Sequence, residues 1–220
     1  MAKIKQALLS CLTDLKEHKI RVAIAIVITI FIYIVSSIFL FDGINKRFIL
    51  YSFLCLGIGV FIALPRVKAW YVNGIMLILY LCIVPKKIFE RMELPTHSME
   101  RIQPGVTLAN IFIVLFIFAV CLLIFQRVRF ALGIGSIILL VGFLINYFVV
   151  EFRGTSITLN DLFAVKTAMQ VVGGYQFSVS PEAWYSILYF LFFIFWGFWI
   201  DLSGKGLKYH LIVSLSAITG

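Results

Sequence analysis

The sequence has little charge: Asp, Glu, Lys and Arg together make up 13% of its 220 residues. Ordinary soluble domains carry about 25%, so composition excludes a water-soluble globular fold. Proline is scarce, at five residues, and acids are outnumbered by bases, 10 to 19. The four cysteines stand at Cys11, Cys55, Cys82 and Cys121, three of them inside apolar runs. No pair has zinc-ligand spacing and nothing suggests a disulfide framework, which leaves them as small packing residues. His18, His97 and His210 fall in separate polar segments without a metal motif. Glycine pairs at 57/59, 133/135 and 204/206 do not extend to a phosphate-binding fingerprint. No serine, threonine or cysteine sits in a nucleophile elbow. The residues offer no catalytic group, no metal site and no cofactor site.

What the chain has is apolar length. Hydrophobic residues account for 62%, with 22 phenylalanines. The apolar runs are continuous rather than alternating, and several approach the about 20 residues that cross a ~30 Å hydrocarbon core as a helix. The expected fold class is all-α, a polytopic membrane helix bundle with spans at 22–41, 48–64, 69–84, 106–125, 130–150 and 183–200. Pro65 closes the second run and Pro85 the third and shortest, which opens on the interfacial aromatics Trp70 and Tyr71. A polar linker then runs from Lys86 to Pro104, and only Gln126, Arg127, Val128 and Arg129 separate spans four and five, a tight helical hairpin.

The basic head, residues 1–21, precedes a run of full span length without a small-residue cleavage site. It reads as a retained helix, not a signal peptide. Residues 211–220 make half a span, so they are expected to begin a seventh span, and residues 1–220 to be one truncated transmembrane domain.

A net charge of +9 would suggest nucleic acid in a soluble protein. Here the bases gather in loops, as the positive-inside rule expects, and no nucleic-acid partner is implied. With the N-terminus in the cytoplasm, inner segments hold eleven bases against three acids and outer segments eight against seven. The short loops 65–68 and 126–129 are purely basic, so the loop 151–182 is expected outside. Lys86, Lys87, Arg91 and Arg101 weigh against this count.

No Asp, Glu, Lys, Arg or His lies inside the six assigned spans. Such groups at membrane depth cost roughly 2.5–3.5 kcal/mol and mark pathways and relays, so a proton-coupled pump or a voltage sensor is disfavoured. Asn73, Asn110 and Asn146 are the notable polar residues of the spans. They either bond neighbouring helices or meet a lipid headgroup. Gly135, Gly142 and Asn146 share one face of the fifth span, and Gly59 with Ala63 forms a small-residue pair in the second. Both patterns point to close helix packing.

The densest polar pattern runs from Asn146 to Pro181. Thr158 and Asp161 form a capping box, and the acid suits the positive end of a helix. Leu159, Leu162, Phe163, Val165, Met169 and Val172 then give an apolar stripe, closed by Gly173 and Gly174. This predicts an amphipathic helix over 159–172 lying at the membrane surface. Glu151, Arg153 and Asp161 allow two readings. One is a surface ion pair and helix cap worth about 1 kcal/mol or less. In the other, Arg153 and Lys166 face anionic headgroups while the stripe rests on the acyl boundary.

The run also resembles the segment after the fifth span of lipoteichoic-acid-synthase-like proteins, members of the sulfatase and phosphoglycerol-transferase superfamily. Asn146, Tyr147, Phe152, Arg153, Gly154, Thr155, Asp161, Leu162, Ala164, Lys166, Thr167, Ala168, Val171 and Tyr175 carry it. Prolines are usual in that pattern where this chain has Ser156 and Leu159.

The resemblance implies a bacterial cell-membrane protein with an extracellular α/β catalytic domain beyond these residues. That domain would have a threonine nucleophile and a divalent metal such as manganese. It would transfer phosphoglycerol from a membrane lipid or cleave a phosphate or sulfate ester. Arg153, Asp161, Lys166 and Asn146 become the candidate contacts to membrane lipid, including an anionic phospholipid substrate. The alternative is a non-enzymatic carrier or flippase of lipid-linked envelope precursors. The reading frame after Gly220 separates the two: several hundred soluble residues, or only more spans.

Overall fold

A chain segment inside a bilayer has to satisfy its own backbone N–H and C=O groups, and a helix does so without a partner. The computed structural model describes residues 19–40, 46–65, 69–96, 104–155 and 179–202. They form helices α1 (Lys19–Leu40), α2 (Lys46–Ala63), α3 (Trp70–Met92), α4 (Pro104–Phe125), α5 (Val128–Arg153) and α6 (Pro181–Trp199). A 3-10 turn (Leu94–Thr96) follows α3, and there is no strand among these residues. All but α2 are long and apolar enough to cross a membrane; the apolar part of α2, Phe48–Ala63, is shorter. The expected surface helix at 159–172 and the half-span at 211–220 lie outside the described residues.

The third span corrects the sequence reading. Pro85 does not end it: α3 runs two further turns to Met92 and takes in the first seven residues of the expected polar linker. Proline leaves the carbonyl four residues earlier without its donor, but packing against neighbouring helices accommodates this inside a membrane. Pro85 and Ile88 are fully buried, and Phe89 beyond them is buried too. Lys87 and Glu90 face outward and pair at 2.6 Å. The extension is amphipathic, with its apolar face on the core.

The termini of α6 and α5 follow local rules. Ser180 accepts from Ala183 N–H at 3.2 Å, Pro181 occupies the first turn and Glu182 follows it. That is the preferred chemistry of a helix start. α5 closes on Gly154, whose φ of 73° is left-handed and whose N–H reaches Val150 O at 2.7 Å. The hairpin between α4 and α5 is as tight as expected: Gln126 takes φ 51° and its N–H bonds Leu122 O at 2.8 Å.

The central element is α6. It packs most extensively on α5, and also touches α2, α1 and α3. Apolar side chains are as well solvated by lipid tails as by each other, so close fit rather than water exclusion holds such helices together. At the α5–α6 crossing, a Cβ on Gly197 would stand 3.0 Å from Gly133 N and Leu132 C. Gly135 does the same for α4, where a Cβ would come within 2.6 Å of the Phe118 ring. Gly59 packs against Thr29 of α1, whereas Gly142 has room, with Met92 Cε at 3.8 Å.

Two apolar clusters share α6. The larger joins α3, α4, α5 and α6 through Tyr80, Phe118, Phe143, Phe190, Phe193 and Trp196. The smaller joins α1, α2 and α6 through Tyr51, Leu54, Cys55 and Leu188. Edge-on ring contacts such as Tyr80–Trp196, at 5.3 Å, fill the larger one.

Candidate functional site

Antiparallel packing brings the ends of α3 and α5 beside the start of α6. This is the Glu151 end of the bundle. At the opposite, Asp201 end, α6 finishes beside the starts of α3 and α5.

The Asp201 end is knitted by its own polar groups. Asn73 is fully buried; its Oδ1 accepts from Asp201 N–H at 3.2 Å and its Nδ2 donates to Ala69 O at 3.3 Å. Arg129 Nη1 lies 3.6 Å from Asp201 Oδ2, both side chains partly buried. Arg21 Nε donates to Ile62 O at 3.1 Å and so covers a terminal carbonyl of α2. Between the two ends, Tyr80 OH meets Ser136 Oγ at 2.7 Å and donates to Phe193 O at 3.3 Å, tying α3, α5 and α6 together.

At the Glu151 end the same kind of ties frame a cleft. Asn146 Nδ2 donates to Met92 O at 3.2 Å and fastens α5 to the end of α3. Ser180 N–H donates to Tyr147 OH at 3.0 Å, joining the entry of α6 to α5 across 33 residues of sequence. Above these bonds opens a cavity of about 290 Å³, close to the lower end of the about 300–1,000 Å³ common for small-molecule sites. Its floor is apolar, with Phe143, Val150, Leu94 and Pro95, and its rim carries Tyr147, Ser180, Glu151 and Glu182. Apolar walls with a few convergent polar groups suit a small polar headgroup on an apolar stem. Glu182 is exposed and makes no ion pair among the described residues.

Of the residues singled out from sequence, Asn146 is buried beneath this cleft and Arg153 is exposed in the last turn of α5. Asp161 and Lys166 lie outside the described residues. Asn110 is elsewhere, bonding Val106 O of its own helix at 2.9 Å. The rim residues Ser180 and Glu182 were missed, although Ser-Pro-Glu is a legible helix start. No three His, Cys, Asp or Glu among the described residues could hold a metal ion; the divalent metal that the resemblance implies is expected in a catalytic domain outside residues 1–220.

These features define a multi-pass α-helical membrane protein. No protein-family model, curated protein or solved structure matches the chain.

Proposed function

We propose that this chain is the membrane region of a lipoteichoic-acid-synthase-like enzyme, a phosphoglycerol transferase or related phosphate- or sulfate-ester hydrolase. In this reading the N-terminus is cytoplasmic, and the Glu151 end faces outward beneath an extracellular catalytic domain with its divalent metal. The cleft receives the headgroup of a membrane lipid, an anionic phospholipid in the transferase case. The observation that carries the reading is the cleft itself, an apolar floor with a rim of two carboxylates, a phenol and a hydroxyl. Hydroxyl-rich headgroups such as glycerol donate to carboxylates, and Arg153 and Lys166 would answer the phosphate charge. The resemblance over 146–175 supports the same assignment.

A carrier would need a route through the bundle. Tyr80, Phe143 and Phe190 fill that interior and are fully buried, which favours the anchoring and positioning role. The test is lipid-substrate turnover by the full-length protein in phosphatidylglycerol liposomes. Glu182→Gln and Arg153→Ala should each lower turnover while expression holds. Wild-type turnover in both variants would remove the headgroup role.

A further inference from the structure

Arg91 is the second observation at the Glu151 end, and it stands apart from the cleft. It occupies the last turn of α3. Its guanidinium carbon sits 4.4 Å over the Tyr189 ring and 5.2 Å over the Tyr185 ring, both on one stripe of α6. Cation–π stacking engages the flat face of the guanidinium. The two rings stand at 90° to each other, so the guanidinium lies flat on one of them at most, and its five N–H donors lie in its own plane. Arg91 Nε is buried and has no hydrogen-bond acceptor. No carboxylate of the described residues lies within ion-pair distance, and the adjacent Glu90 is taken by Lys87 at 2.6 Å. Arg129 also has a buried Nε without an acceptor and lies 4.6 Å over the Phe130 ring, but its Nη1 has Asp201 at 3.6 Å. Arg21 donates to Ile62 O, whereas Arg91 has neither kind of partner among the described residues.

Nε is enclosed, so the fork left for a ligand is the pair of terminal Nη groups of this half-buried side chain, which suits an oxyanion that accepts two parallel bonds. Its depth names the source. Arg91 is in the last turn of α3 and meets α6 within its first three turns, at one end of two helices long and apolar enough to cross a membrane, where headgroups lie. We propose that Arg91, clamped by Tyr185 and Tyr189, binds the phosphodiester of a membrane phospholipid at the α3–α6 seam. The bound lipid is a structural one that completes the seam. This rests on the membrane-bundle fold and not on the enzyme assignment, so either can fail without the other.

The experiment titrates delipidated full-length protein in detergent with phosphatidylglycerol and counts retained lipids by native mass spectrometry. Wild type should hold one lipid at least about tenfold more tightly than Arg91→Gln, as loss of a charge-assisted pair predicts. Arg91→Lys should fall between them, since an ammonium keeps the charge without the planar fork. Soluble glycerol phosphate at millimolar concentration should not displace the lipid. Circular dichroism establishes that each variant is helical; if Arg91→Gln does not fold, Arg91→Lys carries the test. Equal lipid number and affinity in the folded variant and wild type would overturn the proposal. Displacement by glycerol phosphate would overturn the lipid as the source of the anion.

Discussion

The two ends of the bundle use similar residues to different effect. At the Asp201 end, Arg21, Arg129, Asn73 and Asp201 meet chain partners on neighbouring elements, although Arg129 Nε and Trp199 Nε1 are buried there without an acceptor. At the Glu151 end, Asn146 and Tyr147 make comparable ties, but Glu151 and Glu182 border a cleft and Arg91 rests on aromatic rings. Polar groups are costly near a bilayer unless matched. An end that closes on itself is holding the fold, whereas an end that presents donors and acceptors around a cavity is suited to a ligand. Burial runs across this axis: half of α6's apolar window is inside the bundle of described residues, against 11% of α1's.

The comparison is sharpened most by orientation, an all-or-none effect. In a background without native cysteines, a membrane-impermeant thiol reagent should label a cysteine at Gln176, between α5 and α6. It should miss one at Gln126, in the α4–α5 hairpin. The reverse pattern would put the cleft in the cytoplasm.

A packing change comes next. Gly197→Leu forces a side chain into the backbone of Gly133 and Leu132 and should destabilise the Asp201 end by about 1–3 kcal/mol, typical of overpacking. Gly142→Ala, which meets only Met92 Cε at 3.8 Å, should stay within about 0.5 kcal/mol of wild type. Thermal melts in detergent compare the two. Equal losses would mean that the α5–α6 crossing is not the tight contact.

The smallest effect is at Gln126. Its φ of 51° is left-handed, a region that costs a non-glycine residue about 1 kcal/mol. Gln126→Gly should therefore raise the melting temperature slightly, by an amount equivalent to about 0.5 kcal/mol after the entropy of glycine is counted. A lower melting temperature would show that the Gln126 side chain contributes more than its backbone costs.

Much of the bundle was legible because apolar length is the dominant signal in a membrane chain. The α4–α5 hairpin and the packing roles of Gly59 and Gly135 came through for the same local reasons. The end of α3 did not. Pro85 reads locally as a stop, although Ile88, Phe89 and Met92 beyond it keep helical spacing. Contacts between distant segments were out of reach: nothing local joins Arg91 to Tyr185 and Tyr189, Gly133 to Gly197, or Tyr147 to Ser180. The cleft depends on such contacts, so only Asn146 and Arg153 could be placed near it beforehand.

The central claim is that the Glu151 end handles the ligand while the Asp201 end holds the fold. Its most direct test measures two variants of the full-length protein side by side, in turnover of liposomal phosphatidylglycerol and in thermal stability. Glu182→Gln should keep its stability within about 0.5 kcal/mol, as exposed sites do, and lose about tenfold in turnover, as a charged hydrogen bond to substrate predicts. Arg129→Gln should lose about 1 kcal/mol of stability with the partly buried Arg129–Asp201 ion pair gone, and keep wild-type turnover per folded molecule. Wild-type turnover in Glu182→Gln, with turnover abolished in a stable Arg129→Gln, would contradict the account.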